Sequence, residues 1–328
     1  MIITRTPLRI TLGGGGTDLP SYYRSFGGFV LSAAINKYVY ITINQTFFPG
    51  FLLKYSETET ASSYDDVRHP LIREALRLHS MPSRLEIVSI ADVPAGTGLG
   101  SSGSFLVGLL HAFHAYKRQP VTAEVLAQEA VDIEMNRLGL PIGKQDQYVA
   151  AYGGLVCQQY QRDDTVVITP LRMSESAVWE LRDSLMLFFI GDTRAAASLL
   201  ADQKKRSEHG DNQMLDGLHS VKQLGLEIRG ALEAGNIHRF GELLHEHWEL
   251  KRSRSAGMSN SRIDELYNLA RTAGAATGGK VVGAGGSGFL LFHTNDRQRL
   301  RKAMSEAGVW EADFTFDFDG SVVLLRNG

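Results

Sequence analysis

A single cysteine, Cys157, is present in 328 residues, which excludes an internal disulfide and any metal site built on several thiolates. That usage fits a reducing compartment. Charge of one sign is missing as well: 34 Lys and Arg stand against 36 Asp and Glu, without the electrostatic footprint of a nucleic-acid or anionic-membrane binder. Apolar runs stay short of the roughly 20 residues that span a bilayer, and the first residues, MIITRTPLRITL, carry arginines where a secretory leader is apolar. Repeats, low-complexity tracts and blocks of like charge are lacking. The expectation is a globular, cytoplasmic protein with no membrane or nucleic-acid partner and room for two domains.

Two motifs are also missing. No GxxxxGK[ST] loop occurs, and His245 and His247 in HEHWELKRSRS lack the HExxH spacing, so a polar helix face is expected there rather than a zinc site.

Glycine, by contrast, is plentiful and clustered. Of 34 glycines, 14 fall in segments 13–16, 96–103 and 278–288, which argues for three backbone surfaces converging on one phosphorylated ligand. The central segment reads PAGTGLGSSG, Pro94 to Gly103. Gly96, Gly98 and Gly100 clear side chains from alternate positions, while Ser101 and Ser102 open an apolar run, Phe105, Leu106, Leu109, Leu110 and Phe113, spaced as one helix face. A glycine loop feeding a helix N-terminus is an anion site. Gly98, Gly100 and Gly103 also fit GxGxxG, but a dinucleotide fold needs an acid closing a second strand about 20 residues on. Here Glu124 lies in the first turn of another helix, with Thr122 as its cap. A ligand-free turn is the plain alternative.

In chain order, Ile2 to Leu12 alternates as a strand and runs into Gly13 to Gly16, Thr17 and Asp18, with Arg9 and Asp18 flanking the glycines. Strands follow over 29–46 and 85–93. Ala123 to Arg137 reads as a helix stopped by Gly139 and Pro141, with Glu134 in its last turn, either on a solvated surface or as a metal ligand. The segment IGKQDQYVAAYGG is a turn and short helix that places Asp146 between two glutamines. Strands are expected over 155–169 and 185–190, helices from about 195 to 273, and a strand, turn and strand over 280–294. The final DFTFDFDGSVVLLRN reads as a hairpin across Asp319-Gly320.

These three glycine segments, in this order, resemble the three motifs of the GHMP small-molecule kinases. PAGTGLGSSG is similar to that family's PxGxGLGSS loop. PLRITLGGGGTD resembles the PGRVNLIGEHTD pattern of galactokinases, with Gly15 and Gly16 in place of Glu-His, and VVGAGGSG resembles the closing glycine motif. Taken with GxPIGKQDQYxAAYGG, the whole chain looks most like D-glycero-D-manno-heptose 7-phosphate kinases, with fucokinase-type relatives next. The resemblance implies an α+β fold: a ribosomal-S5-like N-terminal domain, set at residues 1–180, and a ferredoxin-like C-terminal domain, 181–328, with the site between them.

It further implies ATP held by Pro94, Gly96, Thr97, Gly98, Leu99, Gly100, Ser101 and Ser102, and Mg²⁺ held by Ser102 and Glu134. Asp146 matches the family's catalytic aspartate, and Arg9 is expected to offset developing charge. Gly15, Gly16, Thr17, Asp18, Gly285 and Gly286 are expected at the acceptor. A heptose 7-phosphate would need a cation for its phosphate, for which Lys144, Arg194 and Lys251 are candidates, Arg194 leading from its place before a helix. Readings from other classes are a non-catalytic sugar sensor and a nucleotide-dependent decarboxylase of the same superfamily.

Overall fold

The computed structural model describes the chain except residues 192–196, 210, 255–256, 284, 287 and 328. Its strands are β1 (Ile2–Gly13), β2 (Gly28–Gln45), β3 (Phe51–Lys54), β4 (Thr58–Ala61), β5 (Leu85–Ala91), β6 (Leu155–Tyr160), β7 (Val166–Pro170), β8 (Leu185–Phe189), β9 (Ala276–Val281), β10 (Phe289–Thr294), β11 (Trp310–Glu311) and β12 (Val322–Arg326). The α-helices are α1 (Pro20–Phe26), α2 (Pro70–Leu78), α3 (Ser101–Tyr116), α4 (Ala123–Val131), α5 (Gln145–Tyr152), α6 (Glu175–Ser184), α7 (Ala197–Glu208), α8 (Asn212–Glu233), α9 (Ile237–Arg254), α10 (Ser261–Thr272) and α11 (Arg297–Glu306).

An eight-stranded sheet runs β12-β1-β2-β5-β3-β4, with β6 on β2 and β7 on β6. Side chains alternate across a strand, so Leu8, Ile10 and Leu12 of β1 point into the core while Arg9 and Thr11 point together to the opposite face. The pairing of β1 with β2 shifts register between Pro7 and Leu8. On β2, Val39, Ile41 and Ile43 are buried as the alternation required.

Helix α3 is apolar nearly all round and correspondingly buried. It lies close against β1: Thr4 Oγ1 donates to Gly108 O at 2.9 Å and Ser104 Oγ donates to Pro7 O at 2.7 Å. A Cβ on Gly108 would stand 2.8 Å from Thr6 Oγ1. The second sheet, β11-β8-β10-β9, belongs to the later half of the chain and packs with α9, α10 and α11. Helix α8 reaches back to the first glycine run, where Gly225 and Gly13 meet so closely that a Cβ on Gly13 would stand 3.1 Å from the Gly225 Cα.

Two expectations change here. The helix expected over 123–137 is α-helical only to Val131 and continues as a π-turn, Asp132–Arg137, which rotates Glu134 into the interior, where it is fully buried. The hairpin expected across Asp319-Gly320 does not form. Instead, Phe316 makes a lone bridge with Ile35, and β12 pairs antiparallel with β1. Asp317 explains the difference: its Oδ1 accepts from Asp319 N at 3.1 Å and Gly320 N at 2.9 Å, a local turn that redirects the chain to another strand. The end of the chain therefore closes the sheet that its beginning opened, across the boundary set at 180/181.

Candidate active site

A cleft of about 740 Å³ is lined by β1, the loop before α3, α5 and segments of the second half. The loop is built as the glycines required: Gly96, Gly98 and Gly100 have φ of 78°, 85° and 79°, the left-handed region that other residues enter at a cost. Gly100 is the N-cap of α3 with no side-chain hydrogen bond, so the first N–H groups of that helix are left for a ligand.

The third glycine segment interlocks with this loop. A Cβ on Gly283 would lie 2.6 Å from Gly98 O, and one on Gly288 only 2.1 Å from Thr97 O. Only bare backbone fits on both sides. Thr97 is buried, its hydroxyl donating to Pro94 O at 3.0 Å.

Arg9 and Asp146 meet at the centre. Arg9 Nε donates to Asp146 Oδ1 at 2.7 Å, Arg9 Nη1 donates to Gly98 O at 2.5 Å, and Arg9 N donates to Leu99 O at 3.0 Å. The Arg9 side chain is 5% exposed and that of Asp146 25%, so of these two cleft-lining residues Asp146 is the more open. One arginine thus fixes the carboxylate and the phosphate loop in the same frame. Gly103 makes the approach possible, since its Cβ would stand 2.9 Å from Asp146 Cβ.

Beside them, Asp18 is buried, with Oδ1 accepting from Gly16 N at 3.1 Å and Oδ2 accepting from Gln145 N and Gln145 Nε2, each at 3.2 Å. Burial pushes its carboxyl pKa up, and Asp146 nearby adds to this. Gly143 must be glycine, because a Cβ there would lie 1.9 Å from Asp18 Oδ2. Thr11 Oγ1 donates to Gln145 Oε1 at 2.6 Å, so the β1 face holding Arg9 also holds the start of α5.

Glu134 sits behind the loop. Burial raises its pKa to about 7, opposed by the hydrogen bond from Gln147 and by the Ser102 hydroxyl nearby, and assisted by Asp146. Gln147 Nε2 donates to Glu134 Oε2, while Glu134 Oε1 is buried with no hydrogen-bond partner among the described residues. An orphaned carboxylate oxygen with a serine hydroxyl beside it is an oxygen-donor set that fits Mg²⁺.

Of the other expected residues, Gly15, Gly16, Pro94, Ser101, Ser102, Lys251 and Gly285 line the cleft. Thr17, Thr97, Leu99, Lys144 and Gly286 do not, Thr97 and Leu99 being buried beneath the loop's glycines. The Thr17 hydroxyl is spent on Gly14 O and Phe29 O, both at 2.8 Å, and Lys144 Nζ donates to Asp164 O at 3.0 Å, 4.9 Å from the Tyr23 ring centre. Arg194 lies outside the described residues. Sequence reasoning missed Gln203, whose Nε2 donates to Gly16 O at 2.8 Å, and the buried Lys280 on the cleft wall. It also missed the aromatic group Tyr55, His69 and Phe105, with ring centres 4.7 and 5.3 Å apart, at the end of the cleft bordered by α2. No local motif marks any of these.

Comparison with known proteins agrees with this geometry. Residues 69–154 match the GHMP kinases N terminal domain and residues 228–309 the GHMP kinases C terminal domain. The chain is 29% identical to the D-glycero-alpha-D-manno-heptose 7-phosphate kinase of Campylobacter jejuni over 97% of each chain. It is 24% identical to the bifunctional fucokinase/GDP-fucose pyrophosphorylase of Arabidopsis thaliana, over 90% of this chain and 30% of that one. The crystal structure of a D-glycero-D-manno-heptose 1-phosphate kinase from Bacteriodes thetaiotaomicron superposes with a TM-score of 0.82 at 28% identity over 100% of both chains. With both domain models matched, the three glycine segments interlocked and the Arg9–Asp146 pair between them, this chain belongs to the GHMP kinases.

Proposed function

We propose that this chain is an ATP-dependent cytoplasmic sugar kinase that phosphorylates the anomeric C1 hydroxyl of D-glycero-D-manno-heptose 7-phosphate, giving the 1,7-bisphosphate. The observation that carries the reading is the cleft-facing Asp146 held by Arg9 against the phosphate loop. The sugar oxygen forms a bond to the γ-phosphorus as the bond to the departing ADP oxygen breaks, and the hydroxyl proton passes to the Asp146 carboxylate. Backbone N–H groups at the start of α3 neutralise phosphate charge. Ser102 and Glu134 would hold Mg²⁺, which when bound supplies charge neutralisation on the phosphates.

Acceptor hydroxyls fall to Asp18 and to the Gly15-Gly16 backbone, which Gln203 and Gln145 keep in place. Lys251 lines the same cleft, where its Nζ donates to Val281 O at 3.1 Å and to Gly283 O, and its charge would act on the remote phosphate from that fixed position. A second reading, favoured by the name of the Bacteriodes thetaiotaomicron relative, takes heptose 1-phosphate as the acceptor. Measuring ADP release with heptose 7-phosphate, heptose 1-phosphate, free heptose, mannose and fucose tests both. The 7-phosphate should give the highest kcat/KM; an equal value for a free sugar would sink the sugar-phosphate reading.

A further inference from the structure

Well away from the cleft, three helices bring two imidazoles and a carboxylate to one point. His79 is the C-cap of α2, His114 lies in the last turn of α3, and Glu129 belongs to α4. His114 Nε2 is 2.9 Å and His79 Nε2 is 3.3 Å from the same oxygen, Glu129 Oε2, and all three donor atoms lie within 4.8 Å of one another. The two rings meet edge to face with centres 4.8 Å apart, and Phe113 packs on His79 at 5.7 Å. His79 is 6% exposed, so water has little access.

We propose that His79, His114 and Glu129 form a structural binding site for a zinc-like divalent transition metal, tying the ends of α2 and α3 to α4. The geometry supplies the first argument. Ligands about 2.0–2.1 Å from a tetrahedral zinc stand about 3.3 Å apart, so the two imidazole–carboxylate spacings of 2.9 and 3.3 Å already suit it, and the two imidazole nitrogens, within 4.8 Å of each other, would have to close by at most about 1.5 Å. The second is chemical: two imidazoles with one carboxylate suit zinc or its neighbours and not Mg²⁺, which takes oxygen donors, so this site and the Ser102–Glu134 pair select different ions. The third concerns tautomers. Among the described residues His114 Nδ1 meets no hydrogen-bond partner, whereas Nε2 donates to Glu129 Oε2, so an ion would take the place of the Nε2 proton while Nδ1 is left to carry it. Two nearby basic groups face the site: Lys117, whose Nζ donates to the His79 carbonyl, and His111, one turn before His114 and turned to Ser321 Oγ at 3.0 Å. Neither bonds to the three donor atoms, which meet only one another in these contacts.

The ion would act through position and not through chemistry at the cleft. Helix α3 begins at the phosphate loop, and α4 runs directly into the π-turn that buries Glu134. The test uses the full chain freed of metal with EDTA. Titration with zinc chloride in the presence of excess Mg²⁺ should show one equivalent bound with submicromolar affinity and a raised Tm. Glu129→Gln and His114→Gln should each weaken that equivalent by about 100-fold or more and remove the zinc-dependent rise in Tm. Turnover with Mg²⁺ and ATP in metal-free buffer should stay near that of the unaltered protein. Absence of a bound equivalent in the unaltered chain overturns the proposal even if a variant fails to fold. So does an equivalent that survives Glu129→Gln.

Discussion

Asp146 and Gly103 make one unit, because the carboxylate stands where it does only while residue 103 has no side chain. Replacing Asp146 with Asn removes the proton acceptor but keeps the shape, so kcat should fall by about two to four orders of magnitude. ATP affinity measured by calorimetry should change little; near-normal turnover would remove Asp146 from the mechanism. Gly103→Ala tests position instead of chemistry. Its methyl would press on Asp146 Cβ and on the backbone of Asp146 and Gln147, and a displacement of an ångström costs about 100-fold in rate. The expected outcome is a lower kcat with a folded protein by circular dichroism, and an unchanged kcat would show that α5 yields without moving the carboxylate.

Strand β10 is flanked by β8 and β9 and carries a buried histidine. Burial lowers the pKa of His293 to about 4, with a small contribution from His238. The unfolded imidazole titrates near 6.5, so between those values the unfolded chain binds the extra proton. Stability is therefore complete above about 6.5 and declines as pH falls toward 4, by about 3 kcal/mol for this one group. Urea unfolding at several pH values should show that slope in the unaltered protein and a flatter one in His293→Leu; parallel slopes would contradict it. Elements of this kind were readable in the sequence where the cause is local. The left-handed glycines of the loop before α3 are such a case, as is the alternation that buries Val39, Ile41 and Ile43. Glu134 was not, since its burial comes from a π-turn and from partners contributed by α3 and α5. Nor were Lys280, Tyr55 and Gln203, which reach the cleft from distant strands, loops and helices. The closing hairpin was misread because the turn chemistry of Asp317 outweighed the Asp-Gly signal.

The molecule as a whole is held by continuity across its midpoint. One apolar core joins Leu8, Ile10 and Leu31 of the first sheet to Leu224, Ile228, Phe240 and Leu291 of the later half. Calorimetry should therefore show one cooperative unfolding transition, and deletion of residues 322–328 should lower Tm by roughly 5 °C or more while preserving a single transition. Two resolved transitions would mean that the halves melt independently. The pairing of β12 with β1 also has a bearing on synthesis. At about 5–20 residues per second, the outer edge of β1 waits roughly 15 to 60 s on the ribosome before its last neighbour emerges. An open strand edge invites pairing with other nascent chains. Arg5 and Pro7 lie on that strand, a charge and a residue without an N–H, and Arg5 later pairs with Asp319 at 3.0 Å. Before the sheet closes, the same two residues guard an unfinished protein against its neighbours on the polysome.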